Sequence, residues 1–163
     1  MNDEKLINLD EIKPTIIIDS REQTPLEFSN KFPTEIGNLF AGDYSIKHLE
    51  PNFTIERKSI NDLVGSTIHD RARFERQLHR MGAYRFARLI VTGHRSDVEA
   101  GRYYSNAAPR SVLNSVDAFE VRHGVPVVWA GSADRAARLV EKWVHWFCRE
   151  IAKNYSKLSR GVA

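Results

Sequence analysis

Two carboxylates and a lysine stand close together in the segments Gly42-Asp43-Tyr44-Ser45-Ile46 and Phe53-Thr54-Ile55-Glu56-Arg57-Lys58. In an extended chain successive side chains alternate faces, so Thr54, Glu56 and Lys58 share one face while Phe53, Ile55 and Arg57 take the other. A hairpin turning through Lys47 to Asn52, which includes Pro51, would lay the two segments side by side and bring Asp43 next to Glu56. Two carboxylates with room for water suit Mg²⁺ or Mn²⁺, which prefer oxygen ligands and near-octahedral geometry, and no Cys or His cluster is needed. Such an ion polarises a phosphate and generates hydroxide, and Lys58 would steady the attacking water or the charge that builds during attack. The chemistry open to this set is phosphodiester hydrolysis. Glu-x-Lys alone is also an ordinary solvated pair, and Gly-Asp an ordinary turn, so the short motif has to be weighed with the rest of the chain.

The surrounding residues carry a longer pattern. Ile16-Ile17-Ile18-Asp19-Ser20-Arg21-Glu22 is an apolar strand that delivers Asp-x-Arg-Glu at its end, followed by Gly42-Asp43, then Glu56-Arg57-Lys58 and Asp62. Arg73-Phe74 and Gln77 come next, then the apolar run Leu89-Ile90-Val91, a Pro109-led helix, and Val125-Pro126-Val127-Val128-Trp129 before a final helix. In residue types, order and spacing this resembles the nuclease domain of the XPF-type endonucleases, the archaeal Hef nuclease included, within the PD-(D/E)XK superfamily. The resemblance runs from about Thr15 to about Lys153. It implies a restriction-endonuclease-like α/β core, with a central mixed β-sheet flanked by helices. It also implies that Asp43 and Glu56 bind the metal, helped by the Arg57 backbone carbonyl, with Lys58 beside the hydrolytic water. Asp19, counted with them as a metal residue, and Glu22 would complete an acidic rim. Arg21 would hold a carboxylate or a phosphate, and Asp62, at the start of the next helix, would support the site or tie down Arg57 or Lys58. Arg71, Arg73 and Gln77 are the expected nucleic-acid contacts.

Composition is compatible with this reading. A chain of 163 residues, 42% apolar, suits one domain with its own core. It has no apolar run long enough to span a bilayer and no leader of the secretory kind, and its single cysteine, Cys148 in Trp146-Phe147-Cys148, reads as a buried helix position. The expected location is therefore intracellular and reducing: cytoplasm or nucleoid, or the nucleus of a eukaryote. Net charge is only +3, yet from Arg57 to Arg110 there are eleven bases against five acids. Ten of those bases are arginines, which suit planar two-pronged phosphate contacts. For Arg76, Arg80, Arg85 and Arg88 a solvated helix face is an equal alternative.

Three segments are expected: an N-terminal arm over residues 1–14, the XPF-type nuclease domain over 15–157, and a tail over 158–163. After Pro25, the residues Phe28, Phe32, Ile36, Leu39 and Phe40 would form a short helix or an irregular cover. Ser59 should cap a short helix, Phe74, Leu78 and Met81 form a helical stripe, and Val112, Val116 and Phe119 another. Ser132 would cap a long helix whose Ala136, Leu139, Val140, Trp143, Val144 and Phe147 make a stripe wide enough to serve a partner as well as the core. Tyr103 and Tyr104 would either stack on unpaired bases or pack their loop. His69 reads as a surface residue.

The expected activity is a Mg²⁺- or Mn²⁺-dependent DNA endonuclease acting on branched, flap or fork DNA near single-strand/duplex junctions. The alternatives are a non-catalytic DNA-binding partner subunit and a related nuclease with another nucleic-acid target, RNA included, since phosphate contacts do not encode sequence or sugar identity. As implied by the family, the domain would pair as a homodimer or heterodimer through its last helices. The tandem helix-hairpin-helix module usual in XPF-type enzymes is not seen in the chain, so the expectation is either a separate DNA-targeting partner or a domain that recognises its substrate alone and less tightly.

Overall fold

A computed structural model describes residues 11–160, with side chains to 158. Residues 1–10 of the expected arm and 161–163 of the expected tail lie outside the described residues. Six strands form one mixed sheet in the order β2-β1-β3-β4-β5-β6. They are β1 (Ile16–Asp19), β2 (Thr34–Gly37), β3 (Tyr44–Ile46), β4 (Phe53–Lys58), β5 (Phe86–Val91) and β6 (Val127–Trp129). The central pairs β1–β3 and β3–β4 are antiparallel, while β1–β2, β4–β5 and β5–β6 are parallel. A six-residue link lets β3 and β4 form the expected hairpin, whereas each parallel pair after β4 needs a helical crossover. Those crossovers are α1 (Ile60–Ile68) with α2 (Arg71–Met81), and α3 (Arg95–Glu99) with α4 (Pro109–His123); α5 (Ala133–Arg160) follows β6.

Strand alternation sorts the side chains between two layers. Ile16, Ile18, Tyr44, Ile46, Phe53, Ile55 and Ile90 point to one face, where Ala136, Val140, Val144, Phe147 and Cys148 of α5 cover them. Ala87, Leu89 and Val91 point to the other, against Leu63 of α1, Phe74, Leu78 and Met81 of α2, and Val116 and Phe119 of α4. Burial pushes the Cys148 thiol up to about 11, in keeping with an inert packing role. Among the described residues no helix is long and apolar enough to cross a membrane.

The helix starts follow local chemistry. Ser59 caps α1 in a reciprocal box with Asp62, Pro109 opens α4, and Ser132 Oγ accepts the Arg135 N–H at the head of α5. The segment between Pro25 and Asp43 differs from a helix. Phe28 and Phe32 do pack as an irregular cover against the α5 layer, but residues 34–37 form the edge strand β2, with Ile36 pointing to solvent. Pro33 explains much of this, because it steers the chain into an extended entry and its carbonyl accepts the Ile16 N–H as the first rung beside β1.

Candidate active site

Asp43 sits one residue before β3, and its place is fixed by main-chain bonds on both sides. Its N–H donates to the Ile55 carbonyl at 2.7 Å, and its carbonyl accepts the Asp19 N–H at 2.8 Å. The close approach depends on Gly42, whose φ is 79°; a Cβ there would lie 2.2 Å from Thr54 Oγ1 and 2.8 Å from the Ile55 carbonyl oxygen. With Tyr44 opposite Ile55 in the register, Asp43 falls level with Glu56. Asp43, Glu56 and Lys58 all belong to the sheet face that looks toward α1 and α2, and all three line one cleft of about 600 Å³.

The two carboxylates are each oriented. Asp43 Oδ2 accepts the Arg57 N–H at 2.7 Å, Glu56 Oε2 accepts the Gln77 side-chain amide, and Glu56 Oε1 faces Lys58 Nζ at 3.4 Å. Lys58 is itself held over the Phe74 ring, 4.9 Å from its centroid. Burial raises the Asp43 carboxyl well above the usual carboxylate range, despite the bond from the Arg57 amide. Burial raises Glu56 further, and the Asp43 charge adds to the rise while Lys58 opposes it. One ammonium therefore leaves this buried carboxylate pair short of positive charge. An all-oxygen donor set of this kind fits Mg²⁺ or Mn²⁺, which keep several waters and need few protein ligands. Among the described residues no group of three or more His, Cys, Asp and Glu gathers to hold an ion alone, so water would complete the shell.

Asp19 lines the same cleft, Glu22 lies outside it, and both carboxylates are engaged by arginines. Asp19 Oδ1 accepts from Arg21 Nε at 2.7 Å and from the Arg21 N–H at 3.0 Å, while Oδ2 accepts from the Leu39 N–H at 2.7 Å. Burial would raise its pKa, but these donors hold it below the ordinary value. Of its two expected duties, Arg21 thus holds a carboxylate. Glu22 lies with Arg57 on the α5 face of the sheet, where Arg57 binds it with two prongs at 2.9 and 2.8 Å and Tyr44 donates at 3.3 Å. Burial opposes ionisation there too, yet Arg57 keeps the Glu22 carboxyl low. Asp62 lines the cleft, but its Oδ2 is spent on the Ser59 hydroxyl at 2.6 Å rather than on Arg57 or Lys58.

On α2, Arg73, Gln77 and Arg80 recur at helical spacing and all line the cleft. Arg71 points elsewhere: its guanidinium lies 4.6 Å from the Phe119 centroid, bonds Ser115 Oγ at 2.9 Å and pairs with Glu75. Arg85 and Arg88 lie over Phe147 and Phe86. His69 is exposed outside the cleft. Sequence reading did not single out Phe40, Asn61 and Ser66 as cleft residues. Phe40, expected to pack in the cover after Pro25, is instead exposed at the cleft, its one sequence signal being an aromatic residue two positions before Gly42-Asp43, while Asn61 and Ser66 required the docking of α1. The two tyrosines divide. Tyr103 donates to the Ala107 carbonyl and packs its loop, and Tyr104 is 96% exposed, its N–H bonded to Asn61 Oδ1.

No curated protein sequence matches the chain significantly. Among solved structures it is similar to XPF from Aeropyrum pernix, with a TM-score of 0.66 at 20% identity over 82% of this chain and 61% of that one. It is similar also to the same protein in complex with DNA, with a TM-score of 0.65 at 20% identity over 84% of this chain and 66% of that one. The chain thus spans about three fifths to two thirds of those chains, and the likeness establishes an XPF nuclease fold. The ERCC4 domain model matches residues 18–142, and on that match across most of its length the chain belongs to the ERCC4 domain family.

Proposed function

We propose that the chain is a structure-specific DNA endonuclease that hydrolyses phosphodiester bonds with Mg²⁺ or Mn²⁺. The observation that carries this reading is the juxtaposition of Asp43, Glu56 and Lys58 on one sheet face, at the floor of a cleft rimmed by Arg21, Arg73 and Arg80. Membership of the ERCC4 family and the XPF fold support it, and the DNA complex of the A. pernix protein favours DNA as the polymer.

Asp43 and Glu56, with the Arg57 carbonyl, would hold the divalent ion. When bound, that ion supplies a polarised phosphate and a water of lowered pKa. The chain's residues do the rest. Gln77 and the Arg57 N–H lock the two carboxylates in orientation, so little reorganisation is needed as charge develops. Lys58, fixed between Glu56 and the Phe74 ring, orients the attacking water and offsets charge on the phosphoryl oxygens. Arg73 and Arg80 steer the backbone, and their phosphate contacts position DNA without reading its sequence. The intact acidic pair and lysine weigh against a non-catalytic partner role. The fitting test is a panel of labelled flap, fork, splayed-arm and plain duplex DNAs in Mg²⁺ or Mn²⁺. Cuts at single-strand/duplex junctions of the branched substrates are expected, and equal cutting of plain duplex would rule out structure specificity.

A further inference from the structure

Among the described residues, the exposed large apolar side chains number eight, and of these Phe40 is the one that lines the cleft. It is 75% exposed, beside a floor of buried charge. Its position is built rather than accidental. Leu39 before it is buried, with its N–H on the carboxylate of Asp19 and its carbonyl on Arg21 Nη2; Ala41 after it is buried, with its carbonyl accepting the Thr54 hydroxyl at 2.8 Å. With both neighbours pinned inward, the Phe40 ring is left facing the cleft. Arg80 accompanies it, its guanidinium 5.8 Å from the ring centroid.

An aromatic face held open among arginines matches a ligand that joins a flat π-surface to a phosphate, which is a nucleotide whose base has left its pair. A base inside a duplex keeps both faces stacked on its neighbours and has none to offer. We propose, on the reading that this cleft cuts DNA, that Phe40 with Arg80 forms a platform for one unpaired base flanking the scissile phosphate. The platform selects substrates with a frayed or single-stranded nucleotide at the cut. Arg21, Arg73 and Arg80 supply the charge complementarity for the adjoining phosphates, and Phe40 supplies stacking that is indifferent to base identity.

The test uses full-length protein carrying Asp43→Asn, so that binding is read without cleavage, and fork DNAs with an abasic site walked across the junction. Adding Phe40→Ala should weaken fork binding by about tenfold, the usual scale for loss of one stacked base, and leave plain duplex binding unchanged. An abasic site at one junction position should cost as much, and the two changes together should cost no more than either. Phe40→Leu, which keeps apolar bulk without a π-face, should behave as the alanine variant, and Phe40→Trp should restore binding. Unchanged fork affinity in Phe40→Ala, full affinity in Phe40→Leu, or losses that multiply at every abasic position would overturn the platform. Because the readout is affinity, it decides the question even if the unmodified chain cuts no DNA, an outcome that would sink the nuclease reading separately.

Discussion

Acidity near a reaction centre has more than one use, and Glu22 illustrates it. Its side chain is 4% exposed and bound by Arg57, so removing it costs a mostly buried guanidinium its carboxylate partner and leaves it Thr24 Oγ1. Glu22→Ala should lower the unfolding free energy by about 3 kcal/mol in urea titration. Glu22→Gln, which still offers Arg57 an oxygen, should recover part of that loss and keep its cleavage rate within a few-fold of the parent. Abolished cleavage in a well-folded Gln variant would instead make Glu22 a direct participant. Asp19 has the same character, since its four acceptor contacts tie Arg21 and the Leu39 peptide in place. Residue types and spacing pointed to Asp43, Glu56 and Lys58 because period-two alternation sets Glu56 and Lys58 on one face and a hairpin brings Asp43 level with Glu56. The partners of Asp19, Glu22 and Asp62 were not legible in that way. Which of two neighbouring arginines a carboxylate takes depends on side-chain paths across strands.

At the level of elements, the site depends on how tightly β3 and β4 approach one another. Gly42→Ala puts a methyl group into Thr54 and Ile55 at a backbone angle that disfavours side chains. Backbone strain of this kind costs about 1–3 kcal/mol, so a lower melting temperature and a deeper loss of cleavage than of stability are expected. A variant that melts and cuts like the parent would show that the approach is not needed. The end of α4 holds a pH-sensitive element of another sort. Both ring nitrogens of His123 are buried without a hydrogen-bond partner, and burial lowers its pKa from the ordinary 6.5. The unfolded chain then takes up a proton at a pH where the folded chain resists it, so the contribution of His123 to stability is full above about 6.5 and is lost as the pH drops below that value. His123→Phe should flatten the fall between pH 7 and 5 in denaturant titrations; an unchanged slope would assign it to other groups. Of the elements themselves, β4, α2, α4 and α5 announced their periodicity clearly. The edge strand β2 did not, because three of its four residues are exposed and it lacks an apolar alternation, so its pairing with β1 is what makes it a strand.

For the whole molecule, the sheet separates a packing face under α5 from a working face toward α1 and α2. The layered α/β class was readable from strand–helix alternation, whereas the cleft rim was not. Arg80 faces the cleft, and Arg71 is drawn into packing with α4, for reasons that lie in the docking of helices. On α5, Trp146, Tyr155 and Leu158 remain exposed, apolar surface on which the expected pairing through the last helices, with a second copy or with another subunit, can be tested. Trp146→Glu should then shift sedimentation from dimer to monomer, and a monomeric parent protein would contradict the pairing.

The central claim is that Asp43, Glu56 and Lys58 together hydrolyse DNA with a divalent ion. It is tested most directly by single-turnover cleavage of a labelled fork in Mg²⁺, in Mn²⁺ and in chelator, comparing the parent with Asp43→Asn and Lys58→Ala. Cleavage that needs the ion and falls by at least about a hundredfold in each variant, with melting temperature preserved, is the predicted result. Metal-independent cleavage, or variants that cut as fast as the parent, would contradict it.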